Sequence, residues 1–348
     1  MSAEVILMSY RQIVFTELNK AELLEVPERE IGDNEVLVKT IISTISCGTE
    51  KANITGDLNV SIFSPPAEKA KFPRQAGYSS SGIVEKVGKD VKSVKPGDRV
   101  AMWWSVHKSY NIMSENKLVR LDDGVSFEDA AIAHIGTFPL AAIRKTQLEI
   151  GESMLVMGLG ILGQLAVKFA KLAGAVPVIA VDPNPERREL AAKMGADFAF
   201  DPFDKDFVQK VKEVTDGGGV NTAIEVTGLG EGLNQCLDCM KSFGRVALLG
   251  CTRDKNFNVD YYRKVHGPGI TLIGAHTLAR PSNESSRHMF SCADDMKTIL
   301  NLMQYGRFSL KEFVAETNSP EDCTEVFSRL VNDKNFPVFV QFDWRKLK

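Results

Sequence analysis

The chain lacks what would take it to a membrane or a nucleic acid. No apolar run approaches the ~18 residues needed to span a bilayer. The segment Met1-Ser2-Ala3-Glu4-Val5-Ile6 has no basic stretch followed by a sustained apolar region, so no secretory leader is read there and a soluble, cytoplasmic protein is expected. The 42 Lys and Arg nearly balance the 45 Asp and Glu, for a net charge of −3 and an isoelectric point near 6.0. That leaves no basic footprint for nucleic acid or an anionic membrane surface. The six cysteines, Cys47, Cys236, Cys239, Cys251, Cys292 and Cys323, are scattered over 348 residues, which argues for reduced thiols rather than a disulfide framework. No internal repeat, low-complexity tract or long linker interrupts the chain. Small-molecule chemistry remains, on a chain whose 44% apolar content can bury a sizeable core and whose length favours two domains.

Up to about residue 130 the pattern is one of short β runs between turn signals. Glu35 to Ile41, Gly82 to Val87 and Asp98 to Met102 read as strands, with the turn Val94-Lys95-Pro96-Gly97 before the last. From Gly136 onward the period changes. A helix from Pro139 to Thr146 leads into strand Met154–Met157, helix Gly163–Leu172, strand Val176–Val181, helix Glu186–Met194, strand Asp197–Phe200 and helix Asp206–Val214. Strand Thr222–Val226, helix Gly232–Met240, and strands Arg245–Leu249 and Ile270–Ile273 follow. Such alternation predicts an α/β domain with a parallel sheet covered by helices on both faces. A helix from Ala293 to Gln304 and the alternating strand Pro337–Phe342, read as returning to the N-terminal β region, complete the chain.

Within the alternating region, Gly158-Leu159-Gly160-Ile161-Leu162-Gly163 follows an apolar strand, opens a helix, and is answered by Asp182 at the end of the next strand. This is the setting of a dinucleotide site. The first glycine permits the turn, the second admits a pyrophosphate, and the third lets the helix pack on the sheet. The pyrophosphate would sit on the helix N-terminus. Asp182 can accept hydrogen bonds from a ribose 2′-hydroxyl but repels a 2′-phosphate, so NAD is expected over NADP. Arg187, with Arg188, can grip a phosphate, but in the charged first turn of a helix a solvated face is the other reading.

Five segments together resemble the medium-chain dehydrogenase/reductase superfamily, the alcohol, sorbitol and threonine dehydrogenase relatives. They are Ser46-Cys47-Gly48-Thr49-Glu50, Gly82 to Gly88, Val94 to Val100, the glycine fingerprint, and Gly244 to Gly250. The resemblance implies a GroES-like β domain from residues 1–134 and 277–348, with a Rossmann domain of residues 135–276 inserted and the active site between them. It also implies that Gly228, Gly250, Ala275 and His276 join the cofactor site and that the protein is a homodimer or homotetramer, Ile270–Ile273 pairing across a two-fold.

Zinc-dependent relatives take a cysteine from C-G-[ST]-[DE], a histidine from G-H-E and a third ligand before the Rossmann domain, leaving one position open. Here only Cys47 survives. Gly77-Tyr78-Ser79 stands where G-H-E is expected, the third position falls on Ala133, and no four-cysteine structural lobe exists. No metal is therefore expected, the alternative being a site rescued by His134 and His107. Cys236-Leu237-Asp238-Cys239 reads as buried packing.

Without zinc, a hydrogen-bond donor must manage the charge on the reacting oxygen. Thr49, Tyr78 and His134 are the candidates, each with a bland counterpart: Thr49 as a turn residue, Tyr78 as filler of the space a metal leaves, His134 as a structural histidine. Cys47 is included as a site residue, although a small buried thiol is its plainer role. His276 can contact substrate, Arg280, Arg287 or His288 can bind a polyol, a carboxylate or a phosphate, and for Arg287 and His288 a solvated connection between domains is the other reading. Trp103 and Trp104 can wall a sugar or pack in the core. The expected function is an NAD-dependent, zinc-independent oxidoreductase acting on a secondary alcohol or ketone in a polyol, sugar or cyclitol. The alternatives are a zinc-free quinone or enoyl reductase, or a nicotinamide-binding sensor with little turnover.

Overall fold

The structure is a computed structural model that describes residues 10–61, 67–252 and 256–348. The reading of Met1 to Ile6 lies outside the described residues. The chain divides into two compact units, one formed by Met1–His134 with Met296–Lys348 and the other by Ile135–Asp295.

The first unit is built mostly of strands. These are β1 (Tyr10–Glu17), β2 (Lys20–Val26), β3 (Glu35–Thr44), β4 (Arg74–Gln75), β5 (Ser79–Val87), β6 (Arg99–Trp103), β7 (Tyr110–Ser114) and β8 (Leu118–Arg120), with α1 (Cys47–Ile54) after β3 and α2 (Phe127–Ala130) at the end. β1 and β2 pair antiparallel. The sequence reading passed over this hairpin because it began its β pattern at Glu35. Helix α1 was also missed: Thr49 sits in its first turn, so the alternative of a turn residue is corrected.

Helix α3 (Ala133–Thr146) leads into the second unit, where β9 (Met154–Met157), α4 (Ile161–Leu172), β10 (Val178–Val181), α5 (Pro185–Met194), β11 (Phe198–Phe200), α6 (Phe207–Glu213), β12 (Val220–Glu225), α7 (Gly230–Asp238), β13 (Met240–Leu248) and β14 (Thr271–Gly274) alternate as expected. The sheet is parallel throughout, in the order β11-β10-β9-β12-β13-β14. This is the doubly wound arrangement, with the strand order reversing between β9 and β12. Every residue of β9 and β10 is buried, which is why both read as unbroken apolar runs rather than alternating ones. Each such Val, Leu, Ile or Met side chain contributes roughly 1.5–3 kcal/mol by leaving water. β13 begins at Met240, where the sequence pattern had extended the preceding helix; Met240 pairs with Val220 before the register shifts to Thr222 and Arg245.

Helix α8 (Cys292–Gln304) carries the chain back, and β15 (Glu316–Asn318), α9 (Cys323–Asn332) and β16 (Val340–Asp343) complete the first unit. β16 pairs antiparallel with β3, so the C-terminal strand does return to the N-terminal β region. α9 buries Cys323, Val326, Phe327 and Leu330, one stripe of an amphipathic helix. The second division falls at Asp295 rather than after His276. Side chains of α3 explain the difference. Lys145 Nζ donates to the carbonyls of Gly274 (2.9 Å) and Ala279. Arg280 donates to Thr137 O (2.8 Å), and Arg144 and Arg280 together hold the buried Asp295 carboxylate at 2.9 and 3.3 Å. The segment after β14 is thereby fastened to the Rossmann unit.

Candidate functional site

In the second unit the glycine turn lies at the carboxyl end of β9, beside the point where the strand order reverses, which is where open α/β sheets form their ligand crevice. Gly158 holds φ at +97°, a conformation L side chains avoid. A Cβ on Gly163 would lie 1.9 Å from the Gly158 carbonyl, so the start of α4 rests directly on the turn. A Cβ on Gly160 would meet nothing within 4 Å. Gly160 is also the N-cap of α4 and supplies no side-chain cap, so the first N–H groups of Ile161, Leu162 and Gly163 keep the dipole-favoured end of the helix open to an anion. An open second glycine above an uncapped helix start fits a pyrophosphate.

Asp182 is buried, and its carboxylate is already at work. Oδ2 accepts from Leu159 N at 2.8 Å and Oδ1 from Asn184 N at 2.9 Å, so it ties the glycine turn to the β10–α5 turn. Each oxygen keeps a further lone pair for a ribose hydroxyl. Arg187 Nη1 stands 3.7 Å from Oδ2 and is partly exposed. Arg188 is not the solvated helix-face residue the sequence suggested: its Nη1 donates to Asp182 O (2.7 Å) and Pro183 O (2.9 Å) and pairs with Asp201 at 3.3 Å. Gln164 closes the same corner by donating to Arg187 O at 2.8 Å.

Gly228 and Gly250 serve each other rather than open space. A Cβ on Gly250 would lie 2.3 Å from Gly228 N, and one on Gly228 would lie 2.7 Å from Cys251 O. Sequence reasoning missed their organiser, Glu225, which ends β12. Its carboxylate accepts from Thr227 N (2.7 Å) and Gly228 N (3.1 Å), and burial pushes its pKa up against those bonds. An acidic residue closing an apolar strand was the available signal. Beyond β14, Ala275 is buried and donates to Leu248 O at 3.1 Å. His276 Nδ1 accepts from Leu278 N at 3.2 Å, which assigns the proton to Nε2. Burial first, and Lys145 second, pull the His276 pKa below its ordinary value. Arg287 and His288 contact one another on an exposed stretch.

In the first unit the candidate oxygen-handling residues separate into neighbours and outliers. Tyr78 donates its phenolic proton to Ser46 Oγ. Its ring meets His134 edge-on at 5.6 Å between centroids, and Trp104 lies 5.7 Å from Tyr78 and 4.8 Å from His134. His134, in the first turn of α3, is fully buried, while Trp104, at φ +56°, is 40% exposed. Trp103 packs in the core. Thr49 is exposed on α1, its carbonyl accepting from Asn53 at 2.9 Å. Cys47, at the start of α1, directs Sγ at the carbonyls of Pro337 and Val338, each 3.8 Å away.

The donors do not suit a zinc ion. A catalytic zinc asks for about three protein ligands, but the Cys47 sulfur is spent on carbonyl oxygens and Tyr78 is spent on Ser46. His107 has both ring nitrogens engaged, Nδ1 with Ser43 Oγ at 2.7 Å and Nε2 with Glu50 Oε2 at 3.1 Å. His107 thus has its own buried partners, while the rings of Tyr78 and Trp104 stand against His134. Among the described residues no group of three or more His, Cys, Asp or Glu is arranged to hold a metal ion. Cys236 and Cys239 are buried, and burial raises both thiol pKa values, that of Cys239 to about 12, which suits packing. Among the described residues, no helix is long and apolar enough to cross a membrane.

Residues 162–294 match the family model of the zinc-binding dehydrogenases, and residues 32–144 that of the alcohol dehydrogenase GroES-like domain. L-threonine 3-dehydrogenase of Pyrococcus abyssi (strain GE5 / Orsay) is 30% identical over 323 residues, covering 84% of this chain and 87% of the relative. D-guloside 3-dehydrogenase of Escherichia coli (strain K12) is 26% identical over 333 residues, covering 89% and 94%. A putative zinc-binding dehydrogenase from Sinorhizobium meliloti 1021, solved bound to NADP, superposes with a TM-score of 0.79 over 97% of this chain and 99% of that one. At 19% identity that likeness speaks to the fold alone.

Proposed function

Because the chain belongs to the medium-chain dehydrogenase/reductase superfamily, and is an alcohol dehydrogenase-like oxidoreductase, we propose that it uses NAD, and no catalytic zinc, to interconvert a secondary alcohol and its ketone on a polyol, sugar or cyclitol. The observation that carries this reading is the Tyr78 phenol, held on Ser46 Oγ and set against His134 where a metal ligand would otherwise stand. The names of the threonine and guloside relatives both point to dehydrogenation at a 3-position. A hydroxyl there is secondary in each compound, which supports the substrate class.

Bound NAD would supply the hydride acceptor. The α4 N-terminus and the open face of Gly160 would hold its pyrophosphate, and the spare lone pairs of Asp182 would accept from the ribose. The nearby Arg187 softens the carboxylate's rejection of a 2′-phosphate without cancelling it, since Asp182 is buried and Arg187 is partly in solvent. In ketone reduction the Tyr78 phenol gives its proton to the oxygen left charged as hydride arrives, and in alcohol oxidation the Tyr78 phenolate takes that proton back, general acid–base catalysis worth about 10²–10⁴-fold. Ser46 orients the phenol, and His134 holds the far side of its ring. A homodimer or homotetramer belongs to the same reading: β14 is an edge strand whose Thr271 and Leu272 are exposed.

The test is turnover by purified protein with NAD or NADP and a panel of polyols, sugars, cyclitols and L-threonine, beside a quinone with NADH. It is followed at the nicotinamide absorbance before and after chelation, with metal content measured. NADH formation from one secondary alcohol, indifferent to chelator and faster with NAD than with NADP, is expected. Activity that disappears on chelation and returns with zinc would refute the metal-free mechanism, and quinone reduction alone would refute the substrate class.

A further inference from the structure

A buried polar chain beneath α1 plays no direct part in the proton transfer proposed above. It joins Glu50 of α1, His107 on the segment between β6 and β7, Ser43 of β3 and Trp344 near the C-terminus, and all four are at least nine-tenths buried. Trp344 Nε1 can only donate, and does so to Ser43 Oγ at 2.9 Å. Ser43 Oγ then meets His107 Nδ1 at 2.7 Å, and His107 Nε2 meets Glu50 Oε2 at 3.1 Å. The other Glu50 oxygen accepts from the backbone N–H of Ser46 at 2.7 Å, close to a capping interaction at the helix start, where the dipole also favours a carboxylate.

His107 reaches Tyr78 from two directions. One arm runs through Glu50 to Ser46, whose hydroxyl accepts from the phenol. The other is the backbone: His107 N donates to Ala76 O at 2.9 Å, and the imidazole lies flat against Gly77. A Cβ on Gly77 would fall 2.7 Å from His107 Cγ, and φ is +81° there, so the residue before Tyr78 is seated on the ring. Both the phenol and its acceptor are thus located by one side chain. We infer that His107 and Glu50 are positioning residues for Tyr78, locking the phenol and Ser46 Oγ at a fixed separation and placing a carboxylate behind them. This rests on the reading of Tyr78 as the group that exchanges the substrate proton.

Groups from several elements face this chain. Around His107 stand Glu50, Ser43, and the rings of Phe327 from α9 and Phe342 from β16. Around Tyr78 stand His134, Trp104 and Ser46. Glu50→Gln keeps the size of the side chain and an acceptor for Ser46 N while removing the charge. In the cofactor-free protein, the Tyr78 phenol, read by ultraviolet difference titration against Tyr78→Phe, should ionise at lower pH once that carboxylate is gone. With NAD and the best alcohol from the panel, kcat should fall about 10- to 100-fold, the scale for partners that orient a reacting group, with the KM for NAD unchanged. His107→Gln retains a donor for Glu50 and an acceptor for Ser43 and should keep most of the activity, whereas the similarly sized His107→Leu should lose it. Unshifted titration in Glu50→Gln, or equal kcat in the Gln and Leu variants, would overturn the inference while leaving a Tyr78→Phe defect intact. Full turnover by Tyr78→Phe would instead overturn the parent reading and this one with it.

Discussion

Asp182→Ala should destabilise the cofactor-free protein before NAD is considered. The carboxylate accepts one bond from Leu159 N, a residue with no exposure, and one from Asn184 N, on a partly exposed turn. A buried N–H that loses a charged acceptor costs about 2 kcal/mol, and one that water can reach costs about 0.5 kcal/mol. A loss of about 2–3 kcal/mol follows, which for a domain of this size lowers the melting temperature by about 5–10 °C. Tryptophan fluorescence is a poor probe, because Trp103, Trp104 and Trp344 all belong to the other unit. Hydrogen exchange of peptides covering β9, the glycine turn and α4 reads the damage directly, with calorimetry for the whole chain. The expected result is faster exchange at the turn without NAD, together with weaker NAD binding and a smaller preference over NADP. Unchanged exchange in the cofactor-free variant, with NAD affinity alone reduced, would refute the claim that Asp182 holds the turn.

Gly163→Ala forces a Cβ to within 1.9 Å of the Gly158 carbonyl, backbone that cannot yield as a flexible side chain would. Overpacking of this kind costs about 1–3 kcal/mol, and a displaced turn should weaken NAD binding at least 10-fold in a calorimetric titration, while Gly160→Ala, which meets open space, keeps the apo stability and loses only affinity. For His276, the folded pKa lies below the ordinary 6.5 because of burial, then Lys145. As pH falls below 6.5 the unfolded chain takes up a proton the folded chain refuses, so stability declines. Denaturation midpoints across that window should show a decline that His276→Gln flattens, and an equal slope in the variant would show that another group is responsible.

The proposed cofactor cradle could be read from the sequence because its parts are local. A strand, a turn and a helix start occupy one short stretch, and the roles of Gly158, Gly160 and Gly163 follow from backbone sterics that any chain with that spacing obeys. The parallel sheet was legible for the same reason, since burial on both faces leaves the unbroken apolar runs of β9 and β10. Phe327 and its partners on α9 carried an equally local signal at helical spacing, and the reading passed over it. The proposed oxygen-handling side was only partly visible. Tyr78 stood out because a metal ligand was missing there, yet nothing near it in the chain announced Ser46 as its partner.

Local pattern, then, was determined by the sequence alone: a glycine turn between strand and helix, an acidic residue at the end of the next strand, and the alternation that makes the parallel sheet. Tertiary structure decided which polar groups meet. The Ser43–Glu50 stretch, Tyr78, His107 and Trp344 are distant in the chain, and the hydrogen bonds that join them form only when β3, β5, β16 and α1 pack. A buried polar side chain is tolerated only with a partner, and folding supplies that partner at any distance along the chain. Spacing in the sequence carries no record of such pairings, so Glu50 and His107 acquired their meaning only in three dimensions.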